Sequence, residues 1–412
     1  MRAMLRPASI MRITMTYTIH GHIDPKFRAV VDVFAEQLPA APRMGGAALT
    51  VYHRQQKVLD IWAGVANKEG NAWQADSMSI SYSTTKGILS TLAHMLVDRG
   101  ILQYDLPIAH YWPEFAQQGK HSISLRHVLT HEAGLYHIRS MIQDAHEMLD
   151  WPHMLEVMAQ ARPLHAAGAR NGYHALTFGW LVGGLIEKAT HAPLSETLAQ
   201  LITQPLKLDG CFIGVPDSEL ARCTDIIGAA RYKPRTNTSK PRTPLPQQLI
   251  DKSLRWSGFN PDTTTEALLP RGMNKFYLDE ARSLQACIPG ANGVFTARSL
   301  AKVYAALAND GEIDGVRLLS PARVKEISRV YNRQRGDVFP MPMHWRLGYH
   351  RVFTTWPQTP HAFGHFGYGG SGAWADPSRE LGVGYIVNTG SGSPFADFRL
   401  WRINTAVIKA AG

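Results

Sequence analysis

The period of the apolar positions changes along the chain and divides it into recognisable stretches. Residues 25–38 place Phe27, Val30, Val31, Val33 and Phe34 at helical spacing. Two strand-like runs follow, 47–53 and 58–63, separated by the polar Arg54-Gln55-Gln56, which is hairpin patterning. The polar, β-leaning Ser79-Ile80-Ser81-Tyr82 then meets a predicted helix over 87–100. That helix puts Ile88, Leu92, Met95 and Leu96 on one face and stops at Gly100. Between about 105 and 285 strand patterning mostly disappears. Helical patterns occupy 125–130, 151–159, 176–189 and 194–206, and the Pro-, Thr- and charge-rich region 231–269 reads as loop. A helix over 298–307 and the turn Asn309-Asp310-Gly311 precede strands at 347–353, 365–366, 371–375 and 381–387. A helix over 395–411 closes the chain.

Strands at both ends with helices between them predict an α/β (α+β) fold. The terminal segments, 1–104 and 286–412, form one antiparallel sheet flanked by helices, and 105–285 form an inserted, mainly helical domain. Two lobes also suit a chain of 412 residues, which is long for one core. The cleft between lobes is the expected ligand site.

Composition narrows the partners. The net charge is +10, yet the clearest basic cluster, Arg231-Tyr232-Lys233-Pro234-Arg235 with Lys240 and Arg242, lies in the Pro/Thr/Ser-rich loop. That is a solvated segment rather than a basic face interleaved with aromatics, so nucleic acid is not the expected partner. Cys211, Cys223 and Cys287 are odd in number and carry no paired spacing, which reads as free thiols in a reducing compartment. The N-terminal MRAMLRPASIMRITM lacks a continuous apolar core and does not read as a signal peptide. The longest apolar run, 178–186, is too short to span a bilayer. The expectation is a soluble cytoplasmic protein without a membrane partner; homo-oligomerisation stays open.

Candidate chemistry begins at Ser83-Thr84-Thr85-Lys86. Ser-x-x-Lys puts both side chains on one helix face, one turn apart. A buried lysine is partly neutral and can take the serine proton. Alone, the pattern serves equally as a helix cap with a solvated lysine, and Ser299-Leu300-Ala301-Lys302 repeats it near another helix start. Two further elements matter. Gly172-Tyr173-His174-Ala175 precedes an apolar helix and can project a tyrosine into a cleft as a second proton carrier. Gly364-His365-Phe366-Gly367-Tyr368-Gly369-Gly370 precedes a strand, and such a glycine-rich edge lets a substrate carbonyl approach backbone N–H groups.

In that order the three elements resemble the serine β-lactamases and penicillin-binding enzymes, which carry Ser-x-x-Lys, a Tyr or Ser motif and Lys-Thr-Gly. The spacing looks like the class C branch, and more closely like the family VIII carboxylesterases of the same fold. The likeness covers nearly the whole chain and includes Leu96 to Gly100, Tyr111 to Phe115, Leu129 to Leu135, Ala291-Asn292-Gly293 and Gly364 to Pro377. Ser299 has no such context and is expected on a helix surface. Two departures stand out. Ala175 replaces the usual Asn, and His365-Phe366 replace the Lys-Thr that would hold a substrate carboxylate. Both favour a neutral ester over an anionic β-lactam.

The resemblance implies a serine hydrolase that cleaves carboxylic esters through an acyl-enzyme on Ser83. Lys86 and Tyr173 share the proton, with either as the resting base. The N–H groups of Ser83 and Tyr368 form the oxyanion hole. His365, Phe366 and Gly367 contact substrate. Trp345 and Tyr349, near the preceding strand, line a pocket or pack in the core. β-Lactamase, D-stereospecific peptidase and acyltransferase are the same-fold alternatives. The partner is a small-molecule ester, and no metal or cofactor is called for. His127 and His131 stand at i, i+4 beside Glu132, but this is not His-Glu-x-x-His and lacks a third ligand, so a structural role is expected.

Overall fold

The computed structural model describes residues 17–39, 44–228, 260–339, 341–390 and 397–412. The basic cluster and the N-terminal stretch singled out above lie outside them. The first hairpin is built from β2 (Gly46–His53) and β3 (Gln56–Gly64), after an edge strand β1 (His20–Ile23). Only Arg54 and Gln55 link β2 to β3, both with positive φ (52° and 63°), the geometry whose twist matches that of paired strands. Two short strands, β4 (Ser79–Ile80) and β5 (Cys211–Phe212), flank β6 (Val294–Phe295) in a separate three-stranded sheet. A small hairpin joins β7 (Glu312–Ile313) to β8 (Val316–Arg317) after the expected turn at Asp310 and Gly311. The chain then returns to the main sheet with β9 (His350–Arg351), β10 (Phe363–Phe366), β11 (Gly372–Asp376) and β12 (Leu381–Val387). The main sheet runs β1-β3-β2-β12-β11-β10-β9, with every neighbouring pair antiparallel. The α+β architecture expected from the strand and helix patterns is the one observed.

Alternation along Leu-Gly-Val-Gly-Tyr-Ile-Val explains the packing of the sheet. Leu381, Val383 and Tyr385 face the helices Arg28–Gln37 and Arg399–Ala411, meeting Phe34, Ile403 and Val407. Gly382 and Gly384 face the helix Ala297–Ala308 on the other side. A methyl group at Gly382 would stand 2.3 Å from the Ala305 nitrogen, and one at Gly384 2.4 Å from the Ala297 oxygen. The glycines therefore let that helix lie directly on the strand backbone.

Several local expectations change. Residues 261–268 form a helix rather than loop: Asn260 accepts from the Asp262 N–H and Pro261 occupies the first turn, a start signal that outweighs the threonine run. The predicted strand 347–353 is reduced to His350–Arg351, because Gly348 (φ 76°) turns the chain and the Arg346 N–H bonds the Tyr349 carbonyl. The helix expected over 194–206 is α-helical only over Leu194–Leu198 and continues as a wider turn, Ala199–Thr203. Ser299 is buried, not superficial. Its hydroxyl accepts from the Gly210 N–H and bonds Asp209, while Lys302 turns away to Asp314 at 2.7 Å. His127 and His131 do not share a helix face. The helix Leu125–Leu129 ends before His131, whose φ is +62°, and the His127 Nδ1 turns back to the Ser124 N–H. Among the described residues no group of side chains is arranged to hold a metal, and no helix is long and apolar enough to cross a membrane.

Candidate active site

Ser83 lies between β4 and the helix Thr85–Asp98, on a single 3-10 turn, Tyr82–Thr84. Tyr82 takes a left-handed conformation (φ 46°), so the backbone is strained immediately before the serine. Two bonds hold the turn from outside. The Ser81 N–H donates to the Gly293 carbonyl, and the Gly293 N–H donates to the Thr85 hydroxyl at 3.0 Å. Gly293 belongs to Ala291-Asn292-Gly293, and Asn292 fixes that loop by donating to the Ser283 and Ala286 carbonyls and accepting from the Ile288 N–H.

Lys86, one turn after Ser83 and in the first turn of the helix, is fully buried. Its Nζ is 2.9 Å from Ser83 Oγ and donates to the carbonyls of Ala175 and Gly290, each at 2.6 Å. Those carbonyls converge because Gly179 and Gly290 pack backbone to backbone; a methyl at Gly179 would meet the Gly290 nitrogen at 2.1 Å. Burial pushes the Lys86 ammonium well below its ordinary range. A neutral amine has two N–H groups and one lone pair. With both N–H groups committed to carbonyls, the lone pair is left for the Ser83 hydroxyl.

Tyr173 approaches from the loop before the helix Thr177–Thr190 and lines the same cleft as Ser83. Its ring is stacked on Trp345 (5.5 Å between centroids, 7° between planes), lies 4.7 Å from Phe339, and has the Lys86 Nζ 5.2 Å from its centre. This dry aromatic surround raises the phenol above its ordinary value, so it holds its proton. Burial thus disfavours the charged form of both groups, the Lys86 ammonium and the Tyr173 phenolate.

The third element runs from β10 into the turn before β11. A methyl at Gly367 would meet the Ser81 carbonyl oxygen at 2.2 Å, so the strand end rests directly on the segment that carries Ser83. The Tyr368 ring packs edge-on against Tyr82 at 5.5 Å. Gly369 and Gly370 have φ of 98° and 102°, and Arg399 donates to the Gly369 and Thr389 carbonyls, tying this turn to the last helix. His365 is buried; its Nδ1–H donates to the Phe366 carbonyl, and burial, followed by the neighbouring His350 and Lys86, keeps it neutral.

These pieces enclose a cavity of about 130 Å³ lined by Ser83, Tyr173, Trp345, His365, Phe366, Gly367 and Tyr368. The structure thus brings the sequence-expected residues to one cleft except two: Lys86, buried behind Ser83 and reaching it at 2.9 Å, and Tyr349. That ring is in the core, against Phe363 and Tyr304, with its hydroxyl bonded to Thr91. Sequence reasoning missed most of the wall: Leu268, Phe339, Met341, Met343, Phe353 and Trp401 also line it. The closely spaced Phe339, Met341, Met343 and Trp345 are the one sequence signal that pointed there.

The model of the family described as Beta-lactamase matches residues 31–407, and the chain belongs to that family. It is 36% identical over 378 residues to the esterase/beta-lactamase LipL of Mycobacterium tuberculosis (strain ATCC 25618 / H37Rv), covering 90% of this chain and 82% of that one. Its fold superposes on a family VIII carboxylesterase with a TM-score of 0.82 at 28% identity, over 95% of this chain and all of the other. A penicillin-binding protein homologue from Caulobacter crescentus gives 0.79 at 30% identity over the same shares. The chain therefore has the hydrolase fold common to esterases and β-lactamases.

Proposed function

We propose that the chain is a serine carboxylesterase that cleaves neutral carboxylic esters through an acyl-enzyme on Ser83. One observation carries the choice of substrate. No lysine or arginine is found among the described residues that line the cleft, and its wall is Trp345, Phe339, Met341, Met343 and Phe353. Such a wall offers apolar contact to an acyl or alcohol group and no fixed cation for a carboxylate. His365 stands where the family's lysine would. Its one N–H is spent on the Phe366 carbonyl, so it presents only a neutral acceptor. The similarity to LipL and to the family VIII carboxylesterase supports the same reading.

In this mechanism Lys86 takes the Ser83 proton as Oγ attacks the ester carbonyl, and the N–H groups of Ser83 and Tyr368 receive the developing oxyanion. Tyr173 passes a proton to the leaving alcohol and is reprotonated from Lys86. Water then enters by the same route in reverse and frees the acid. The volume, about 130 Å³, approaches that of an apolar cavity of about 150 Å³ that admits benzene, which suits short acyl groups. Parallel turnover of p-nitrophenyl butyrate and nitrocefin tests the proposal. Ester turnover should dominate, and nitrocefin turnover far above it would overturn the assignment. Labelling by a fluorophosphonate should disappear in Ser83→Ala.

A further inference from the structure

His131 lies outside the Ser83–Lys86–Tyr173 group, yet it touches the tyrosine loop on both sides. Its carbonyl accepts from the Gly172 N–H at 2.9 Å, and its Nδ1 accepts from the His174 N–H at 3.2 Å. These are the two residues that flank Tyr173. Adjacent rungs extend the ladder: Asn171 Nδ2 donates to the Thr130 carbonyl at 2.7 Å, and the Leu135 N–H donates to His174 Nε2 at 3.1 Å. The His131 ring also backs the tyrosine directly, 4.8 Å from the Tyr173 ring and 4.2 Å from that of Trp345.

The arrangement has two costs that an ordinary core residue would avoid. His131 takes a left-handed backbone (φ 62°), where a branched or bulky residue is strained. Because Nδ1 accepts, a neutral ring carries its proton on Nε2, which is buried without a hydrogen-bond partner among the described residues. A phenylalanine or leucine would fill the space without burying that nitrogen. What the imidazole adds is the acceptor facing the His174 N–H.

We propose that His131 is a positioning residue for the reaction: it clamps the peptides on both sides of Tyr173 and so sets the tyrosine hydroxyl against Ser83 Oγ. This rests on the ester-cleavage reading above. It acts through Tyr173 alone and touches no substrate. Asparagine tolerates the left-handed backbone and puts Oδ1 where His131 has Nδ1, whereas glutamine reaches only to the Nε2 position.

The test compares His131→Asn, His131→Gln, His131→Ala, Tyr173→Phe and the His131→Ala/Tyr173→Phe double variant in the full chain. For each, kcat and KM for p-nitrophenyl butyrate are normalised to active sites counted from the p-nitrophenol burst, and Tm is recorded. His131→Ala and His131→Gln should lose about 10- to 100-fold in kcat with KM little changed, the scale of a misplaced catalytic group. His131→Asn should recover most of that loss. In the Tyr173→Phe background, His131→Ala should change kcat by less than about twofold. A full additional loss in that background, or His131→Asn no better than His131→Gln, overturns the clamp and leaves the ester-cleavage reading standing. If Tyr173→Phe alone leaves kcat unchanged, the clamp fails with the tyrosine's role while ester cleavage stands; a wild type that does not turn over p-nitrophenyl butyrate overturns ester cleavage itself. Should His131→Ala not fold, the Asn and Gln pair decides.

Discussion

Lys86 Nζ stands 2.9 Å from Ser83 Oγ with no carboxylate among its hydrogen-bond partners; its other two are backbone carbonyls. A lysine in this setting is held by geometry and destabilised as a cation.

The pH dependence of acylation follows from that. Protonated Lys86 cannot accept the serine proton, so kcat/KM should fall about tenfold per pH unit below the Lys86 pKa and level off above it. Burial sets that pKa well below the ordinary 10.5, so the rise should be complete well before pH 10. Esterase rates between pH 5 and 10 measure it; a limb centred near 10.5 would show a solvated lysine instead.

Stability should carry the same signature. Lys86 is neutral when folded and charged when unfolded between its lowered pKa and about 10.4. Unfolding then takes up a proton, so raising the pH disfavours it. The stability of the wild type relative to Lys86→Met should therefore increase with pH across that window, by up to about 1.4 kcal/mol per unit. Urea midpoints of the two proteins at several pH values provide the comparison.

Tyr173→Phe removes the hydroxyl proposed to relay the proton and keeps the ring stacked on Trp345. It should reduce kcat by about 10²- to 10⁴-fold and leave KM and Tm nearly unchanged. Active-site-normalised kinetics with a p-nitrophenyl ester would expose any smaller effect.

Met343 contributes to the apolar wall and is only half-buried, so Met343→Ala should enlarge the cleft at modest cost to the fold. The ratio of kcat/KM for octanoate over butyrate esters should rise about tenfold or more, the scale of added methylenes in an apolar pocket. An unchanged ratio would place the acyl chain elsewhere.

Gly384→Ala should destabilise without touching chemistry. The added methyl meets the Ala297 carbonyl oxygen at 2.4 Å, so helix and strand must part. A loss of about 1–3 kcal/mol is expected, read as a lower urea midpoint at constant m, with turnover per folded molecule preserved.

The polar residues that meet at the cleft were legible because their order along the chain is specific: Ser83 and Lys86, then Tyr173, then His365 to Gly367. The cleft wall was not, since an apolar Met341 or Leu268 looks in sequence like any core residue. Trp345 and Tyr349 illustrate the limit. They are four residues apart and equally aromatic, yet the turn at Gly348 sends one to the cleft and the other to the core. Period 2 could not reveal that, because the strand does not begin until His350. The helix over 261–268 was obscured by its threonines, although Asn260-Pro261 was a start signal in plain view. His131 was read for its spacing to His127, when its partners are the peptides beside Tyr173.

Arg399 fastens the Gly369 turn, and Leu400 and Trp401 complete the cleft wall beside it. During synthesis the serine and lysine leave the ribosome some three hundred residues before these groups. A nascent chain carries Ser83 and Lys86 for most of its elongation before the residues that complete the cleft wall exist. The cleft is therefore walled on that side only once the last helix has docked.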